Sequence, residues 1–194
     1  KRQARTSAVL DSLHADRQPH GWRITSVPGA DSRQARALLA SDLNVVADVL
    51  GAESGSDTGR VSFSILGPVS LAATVHVHNG EKLQSDPGAR RDLTQSWRAG
   101  LGELLAALRR NTDGRGTVLV IEEPELDRVL RGTIPTASGY RTLRSLPRHE
   151  VRATLTEAIG AARDAGAERV LLAAGSAEPA WACLLYTSDA ADDS

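Results

Sequence analysis

The stretch Thr117–Ile121 reads TVLVI, a near-continuous apolar run that lies between two segments whose apolar residues repeat every three to four positions. A run of this kind suits a strand buried on both faces, and such strands sit in sheets covered by helices. The same alternation extends along the chain. Asp31 is placed to cap a helix with apolar positions Ala35, Leu38, Leu39, Val46, Val49 and Leu50, stopped by Gly51. Glu53–Arg60 is a polar, Gly/Ser-rich loop, and Val61–Leu66 then alternates like a strand that ends at Gly67-Pro68. At Asp86-Pro87 a capping residue precedes proline at the first helical position. The stripe Leu93, Trp97, Leu101, Leu104, Leu105 and Leu108 follows, closed by Arg109 and Arg110 at the negative end of the helix dipole. Trp97, at helical spacing, is expected in the core. A third helix is expected from Pro147 to Ala165 through Val151, Leu155, Ile159 and Ala162, with Gly166 as its stop. Val170–Leu172 begins another buried strand.

Helix, strand, helix, strand, helix, strand is the order of a parallel α/β architecture. A doubly wound sheet and a (β/α)8 barrel share this local pattern. Neither GxGxxG nor GxxxxGK[ST] occurs, so nothing favours a nucleotide-binding sheet. Carboxylates where a buried strand ends fit the catalytic end of a barrel instead, and a complete barrel needs roughly 250 residues. The expected fold class is therefore α/β, a partial (β/α)8 TIM barrel, with unpaired sheet edges and low solubility when expressed as given.

Charge and composition narrow the function class. Lys and Arg number 23 against 24 Asp and Glu, too near neutrality for a typical nucleic-acid-binding domain. No apolar run approaches the roughly 18 residues of a membrane span, and no signal segment opens the chain. One cysteine excludes an intramolecular disulfide framework. A cytoplasmic protein acting on small molecules is expected, with no nucleic acid or membrane as partner; oligomeric state is not legible. Met is absent and only Lys1 and Lys82 are lysine, a bias that suits a gene rich in G and C. The last twelve residues, CLLYTSDAADDS, break this pattern, holding the only Cys and no Arg. They resemble the translation of a transposon-end adapter used to prepare DNA libraries. Residues 183–194 are expected to be adapter-derived, leaving no cysteine in the natural segment.

Three carboxylates, Glu122, Glu123 and Glu125, cluster around Pro124 at the end of the buried strand. A carboxylate there can bind an amine, ligate a metal or act as a general base; equally, one can cap the next helix while another is solvated. His76 and His78 are two apart and would share a strand face, a chelating arrangement, but no Cys or carboxylate partner is evident and a solvated edge is the simpler expectation. His14, His20 and His149 are isolated. The loop Gly132–Arg141 (GTIPTASGYR) can line a pocket or merely connect.

Taken in order, Gly67-Pro68-Val69-Ser70, SDPGARRDL, EEPELDRVLRGTIPTASGY and the strand RVLL carry a family resemblance. The chain resembles the C-terminal catalytic domain of cobalamin-independent methionine synthase, in a short single-barrel form, over most of residues 1–182. The most specific parts are the Gly-Pro-x-Ser after a strand and the Glu-Glu-Pro, where the family usually has Asp-Glu-Pro. The resemblance implies a fragment of a barrel that moves a methyl group from 5-methyltetrahydrofolate, or a similar donor, to the sulfur of homocysteine or another thiol in methionine biosynthesis. It implies that the residue before Glu-Pro, Glu122, holds the homocysteine amine and that Glu123 supports it. Zinc would present the sulfur as a thiolate.

The implied zinc element is a His-x-Cys just past the strand Val170-Leu171-Leu172. Here those positions read Ala173-Ala174-Gly175, none of which ligates zinc, while Glu178-Pro179 and Trp181 still fit the family's next segment. No metal ligand and no catalytic residue is assigned, and the piece is expected to be inactive alone. Two alternatives remain open: a diverged zinc-less relative that binds a small molecule without methyl transfer, and a metal-free enzyme similar to uroporphyrinogen decarboxylase.

Overall fold

The computed structural model describes residues 2–19, 21–52 and 59–175. His20, most of the 53–60 loop, Glu178-Pro179, Trp181, Cys183 and the rest of the 183–194 tail lie outside the described residues. The elements run α1 (Arg2–Val9), β1 (His14–Gln18), β2 (Gly21–Thr25), α2 (Ala30–Ala52), β3 (Val61–Leu66), α3 (Pro68–Thr74), a single 3-10 turn (Leu83–Ser85), α4 (Pro87–Asn111), β4 (Thr117–Glu123), α5 (Leu126–Arg131), α6 (Arg148–Asp164) and β5 (Arg169–Ala174).

The strands form two separate sheets. β3, β4 and β5 make a parallel sheet in that order, and β1 pairs with β2 as an antiparallel hairpin. This corrects the expected partial (β/α)8 barrel: among the described residues the parallel sheet is open and three-stranded. Closing a barrel requires many tilted, staggered strands whose ladder returns to its first member, and three strands in sequential order keep two edges.

Burial along the strands also departs from expectation. In β4, Thr117, Leu119, Ile121 and Glu123 are buried while Val118, Val120 and Glu122 are half-buried. One face, not two, is fully covered. That face carries Ile65, Leu119 and Ile121 against Leu93, Trp97, Leu101, Leu104, Leu105 and Leu108 of α4 and Ala158 and Ala162 of α6. The other face is left open at Ser62 and Ser64 of β3 and at Leu171 and Ala173 of β5. Trp97 is fully buried, and its indole N–H donates to the Leu66 carbonyl at 2.9 Å, joining α4 to the end of β3.

Local signals set most helix ends. Asp86 caps α4 by accepting from the Ala89 amide at 3.0 Å, with Pro87 next. α6 begins after Pro147 and ends before Gly166, whose φ of 98° suits glycine. α2 begins two residues early, at Ala30, so Asp31 lies in its first turn rather than at its cap. Of the expected α2 stripe, Ala35 is buried and Leu39, Val46 and Leu50 are half-buried, whereas Leu38 and Val49 are exposed; Leu43, outside that stripe, is also buried. None of the described helices is long and apolar enough to cross a membrane.

Candidate functional site

The two short sequences singled out above meet at the carboxyl end of the parallel sheet. β3 ends at Leu66, Gly67 turns the chain, and α3 starts at once with Pro68. β4 runs two residues further than its apolar stretch, so Glu122 and Glu123 are its last residues and point to opposite faces.

Glu123 points into the covered face and is wholly buried. Its Oε1 accepts from the Val69 amide at 3.1 Å and its Oε2 from the Ser70 amide at 2.6 Å. The first residues of a helix have no intrahelical acceptor for their N–H groups. Pro68 has no N–H to satisfy, Leu71 donates to the Gly67 carbonyl at 3.0 Å, and Glu123 serves the two amides between. The hydroxyl of Ser70 accepts from the Glu125 amide at 3.0 Å, closing the link from the other side. Gly67 makes room for all of this: a Cβ there would stand 2.1 Å from Glu123 Oε1. Burial pushes the Glu123 carboxyl up to about 7, against the opposing pull of the Ser70 and Val69 bonds. These hydrogen bonds of Glu123 hold the start of α3 to the end of β4.

Glu122 points to the open face. In register it lies between Leu66 of β3 and Ala173 of β5, and its backbone carbonyl accepts from the Gly67 amide at 2.8 Å. It is half-buried. A half-buried carboxylate at a strand end, beside the small Ala173 and an open face, can receive the amine of a small molecule. Glu125 occupies the position that begins α5 but makes no side-chain cap; it pairs with Arg128 at 2.7 Å.

The two positions that the resemblance would align with zinc ligands, Ala173 and Gly175, carry no ligating side chain. Ala173 sits beside Glu122, and Gly175 packs on Pro124 so closely that a Cβ would stand 2.9 Å from its Cα. A methyl group and a hydrogen offer no lone pair, so these positions do not fit a zinc ion. Among the described residues no three His, Cys, Asp or Glu side chains are grouped to hold a metal.

The other singled-out residues separate. His76 is buried, with Nδ1 3.2 Å from the Trp22 carbonyl, while His78 is exposed in the following turn. They do not form a chelating pair. The 132–141 loop folds as a tight hairpin, with Thr136 donating its amide to the Arg141 carbonyl at 2.8 Å and Leu143 to Ile134 at 2.7 Å. Ile134 anchors it in the small core beneath α3 and α5, Glu81 accepts from the Ala137 amide at 3.0 Å, and Tyr140 stands exposed at its tip.

Sequence reasoning missed the β1–β2 hairpin and its extension. Val75–Val77 hydrogen-bonds to β2 on one side and to Glu81–Leu83 on the other, making four short strands side by side. The available signal was Pro19 followed two residues later by Gly21, whose φ is 126°.

Compared with known proteins, the chain matches no family model, no curated protein and no solved structure.

Proposed function

We propose that the chain binds a small amino-acid thiol of the homocysteine type, as in methyl transfer of the cobalamin-independent methionine synthase kind, with Glu122 holding the substrate amine. The observation that carries this reading is the split of the carboxylate pair. Glu123 accepts from the α3 amides, whereas Glu122, itself engaged within the protein, stands at the strand end toward the open face. The union of Gly67–Ser70 with Glu123-Pro124 supports it further, because the two sequences that carry the resemblance form one hydrogen-bonded unit. The methyl donor in this reading is a methylated folate or similar amine, and the setting is methionine biosynthesis in the cytoplasm, on small molecules rather than nucleic acid.

The ligand set argues for a second reading beside it. Ala173 and Gly175 supply nothing that would bind zinc or sharpen a thiol into a thiolate, so amine binding without methyl transfer is the form favoured by these two positions.

A calorimetric titration tests the shared claim. L-homocysteine should bind saturably, and 4-mercaptobutyrate, which lacks only the amine, at least about tenfold more weakly, the loss of one charge-assisted pair. Equal binding of the two thiols would refute the role given to Glu122. Product formation from methyltetrahydrofolate would then separate the transferring form from the binding form.

A further inference from the structure

The four short strands around His76 place one charged rank across their outer face. Asp16 of β1 is opposite Arg23 of β2, Arg23 bridges His76, and His76 bridges Lys82. Residues in register share a face, and the alternate residues Trp22, Ile24, Val75, Val77 and Leu83 belong to the main core. The rank therefore faces away from the core. The geometry at Gly21 agrees: a Cβ on this residue, two before Arg23, would meet the His76 ring at 3.2 Å.

The positive members of the rank are incompletely matched. Asp16 accepts from the Ser32 amide at 2.9 Å and makes no ion pair with Arg23. Among the described residues the Arg23 guanidinium has no side-chain hydrogen bond or ion pair, and its Nε is buried. Two residues from Asp16 on the same face, His14 also holds a buried Nδ1 without a partner. Lys82, one of two lysines against a large excess of arginine, is half-buried, and burial first and the nearby Arg128 second press its ammonium toward the neutral form. Glu125 and Glu81 act in the opposite direction. Arg23 Nε lies in the interior, whereas the terminal guanidinium nitrogens are not among the buried unpartnered atoms and are the donors open to an oxyanion.

From this rank we infer an anion-binding ledge, formed by Arg23, His76 and Lys82, that takes a small molecule bearing two or more carboxylate or phosphate groups. Neighbouring strands lie about 4.8 Å apart, so the backbones of Arg23 and Lys82 are about 10 Å apart across the rank. Their long side chains can converge across that gap on two oxyanion groups of one small molecule, whereas a single monovalent anion gains no second contact. Arg23 supplies the planar fork and Lys82 the point charge. The ledge does not depend on the amine-binding role of Glu122.

Titration calorimetry of the whole chain at constant ionic strength tests it, with citrate and pyrophosphate as probes and acetate as the monovalent control. Saturable binding of citrate or pyrophosphate is expected, with acetate at least tenfold weaker. Arg23→Gln and Lys82→Gln should each weaken the binding at least tenfold, while Arg110→Gln at the far end of α4 leaves it unchanged. Citrate binding alone assigns a polycarboxylate, pyrophosphate binding alone a phosphate ester, and both together a ledge selective for charge. Binding of neither probe, or binding that both ledge substitutions leave intact, overturns the inference. Melting of each variant without anion should match the parent, which separates lost binding from lost fold.

Discussion

Glu123 and Ser70 face each other across the end of the sheet, the carboxylate accepting from the Ser70 amide at 2.6 Å and the Ser70 hydroxyl accepting from the amide of Glu125. Two segments 53 residues apart are thereby locked at the one place where β3 and β4 hand over to helices. The lock explains why a glutamate is tolerated in a fully buried position. It caps the start of a helix whose first amides lack intrahelical acceptors and carry partial positive charge.

The Glu123 carboxyl gives the protein a characteristic pH dependence. Its folded value is about 7 against an ordinary 4.5, so the folded state holds a proton that the unfolded chain has released. Stability from this group is full below about 4.5 and is lost as the pH rises through about 7, by roughly 3 kcal/mol across the window. Urea unfolding at pH 5 and pH 8 should show the parent weaker at the higher pH. Glu123→Gln, which stays neutral, should flatten the difference; an unchanged slope in that variant would assign it elsewhere.

Removing the acceptor altogether is a different case. Glu123→Ala strands the Val69 and Ser70 amides in the interior, and a loss of about 2–4 kcal/mol is expected in the same unfolding experiment. Gly67→Ala should approach the same loss through sterics, because its Cβ would collide with the carboxylate.

Glycines inside α4 should respond with opposite signs. A Cβ at Gly100 would stand 1.5 Å from the Val9 carbonyl oxygen, so Gly100→Ala must separate α1 from α4 and destabilise by about 2–4 kcal/mol. Gly102, two residues on, meets nothing within 4 Å, and Gly102→Ala should stabilise by about 0.5–1 kcal/mol through helix propensity. Thermal melts of the two variants check this directly.

Trp97 should be sensitive to its nitrogen as well as its volume. Trp97→Phe leaves the Leu66 carbonyl without its donor and opens a cavity, for an expected loss of about 2–4 kcal/mol. A loss below about 1 kcal/mol would mean that the bond to Leu66 contributes little.

Much of the helix and strand placement was legible because it depends on neighbours in sequence. Asp86-Pro87 announces α4, and the Leu93–Leu108 stripe names its buried face. Three things were not legible. β4 reads as buried on both sides because Val118 and Val120 are apolar, yet sequence alone cannot show that nothing described covers their face. Closure into a barrel depends on strand count and tilt, which no local pattern encodes, and the open three-stranded sheet overturned it. The hairpin at His14–Thr25 was hidden because its outward rank is charged and its inward residues are few. At the candidate site, the spacing of Glu122 and Glu123 placed them at a strand end. Their opposite destinies follow from alternation, once β4 is seen to extend through both.

The division of labour between these two carboxylates is the central claim, and a paired comparison of Glu122→Gln and Glu123→Gln tests it most directly, by homocysteine titration and urea unfolding of each. Glu122→Gln should weaken homocysteine binding at least about tenfold and hold stability within about 1 kcal/mol of the parent. Glu123→Gln should alter the pH dependence of unfolding and, under conditions where it is folded, retain homocysteine affinity. The reverse pattern, with binding lost at Glu123 and preserved at Glu122, would contradict the account.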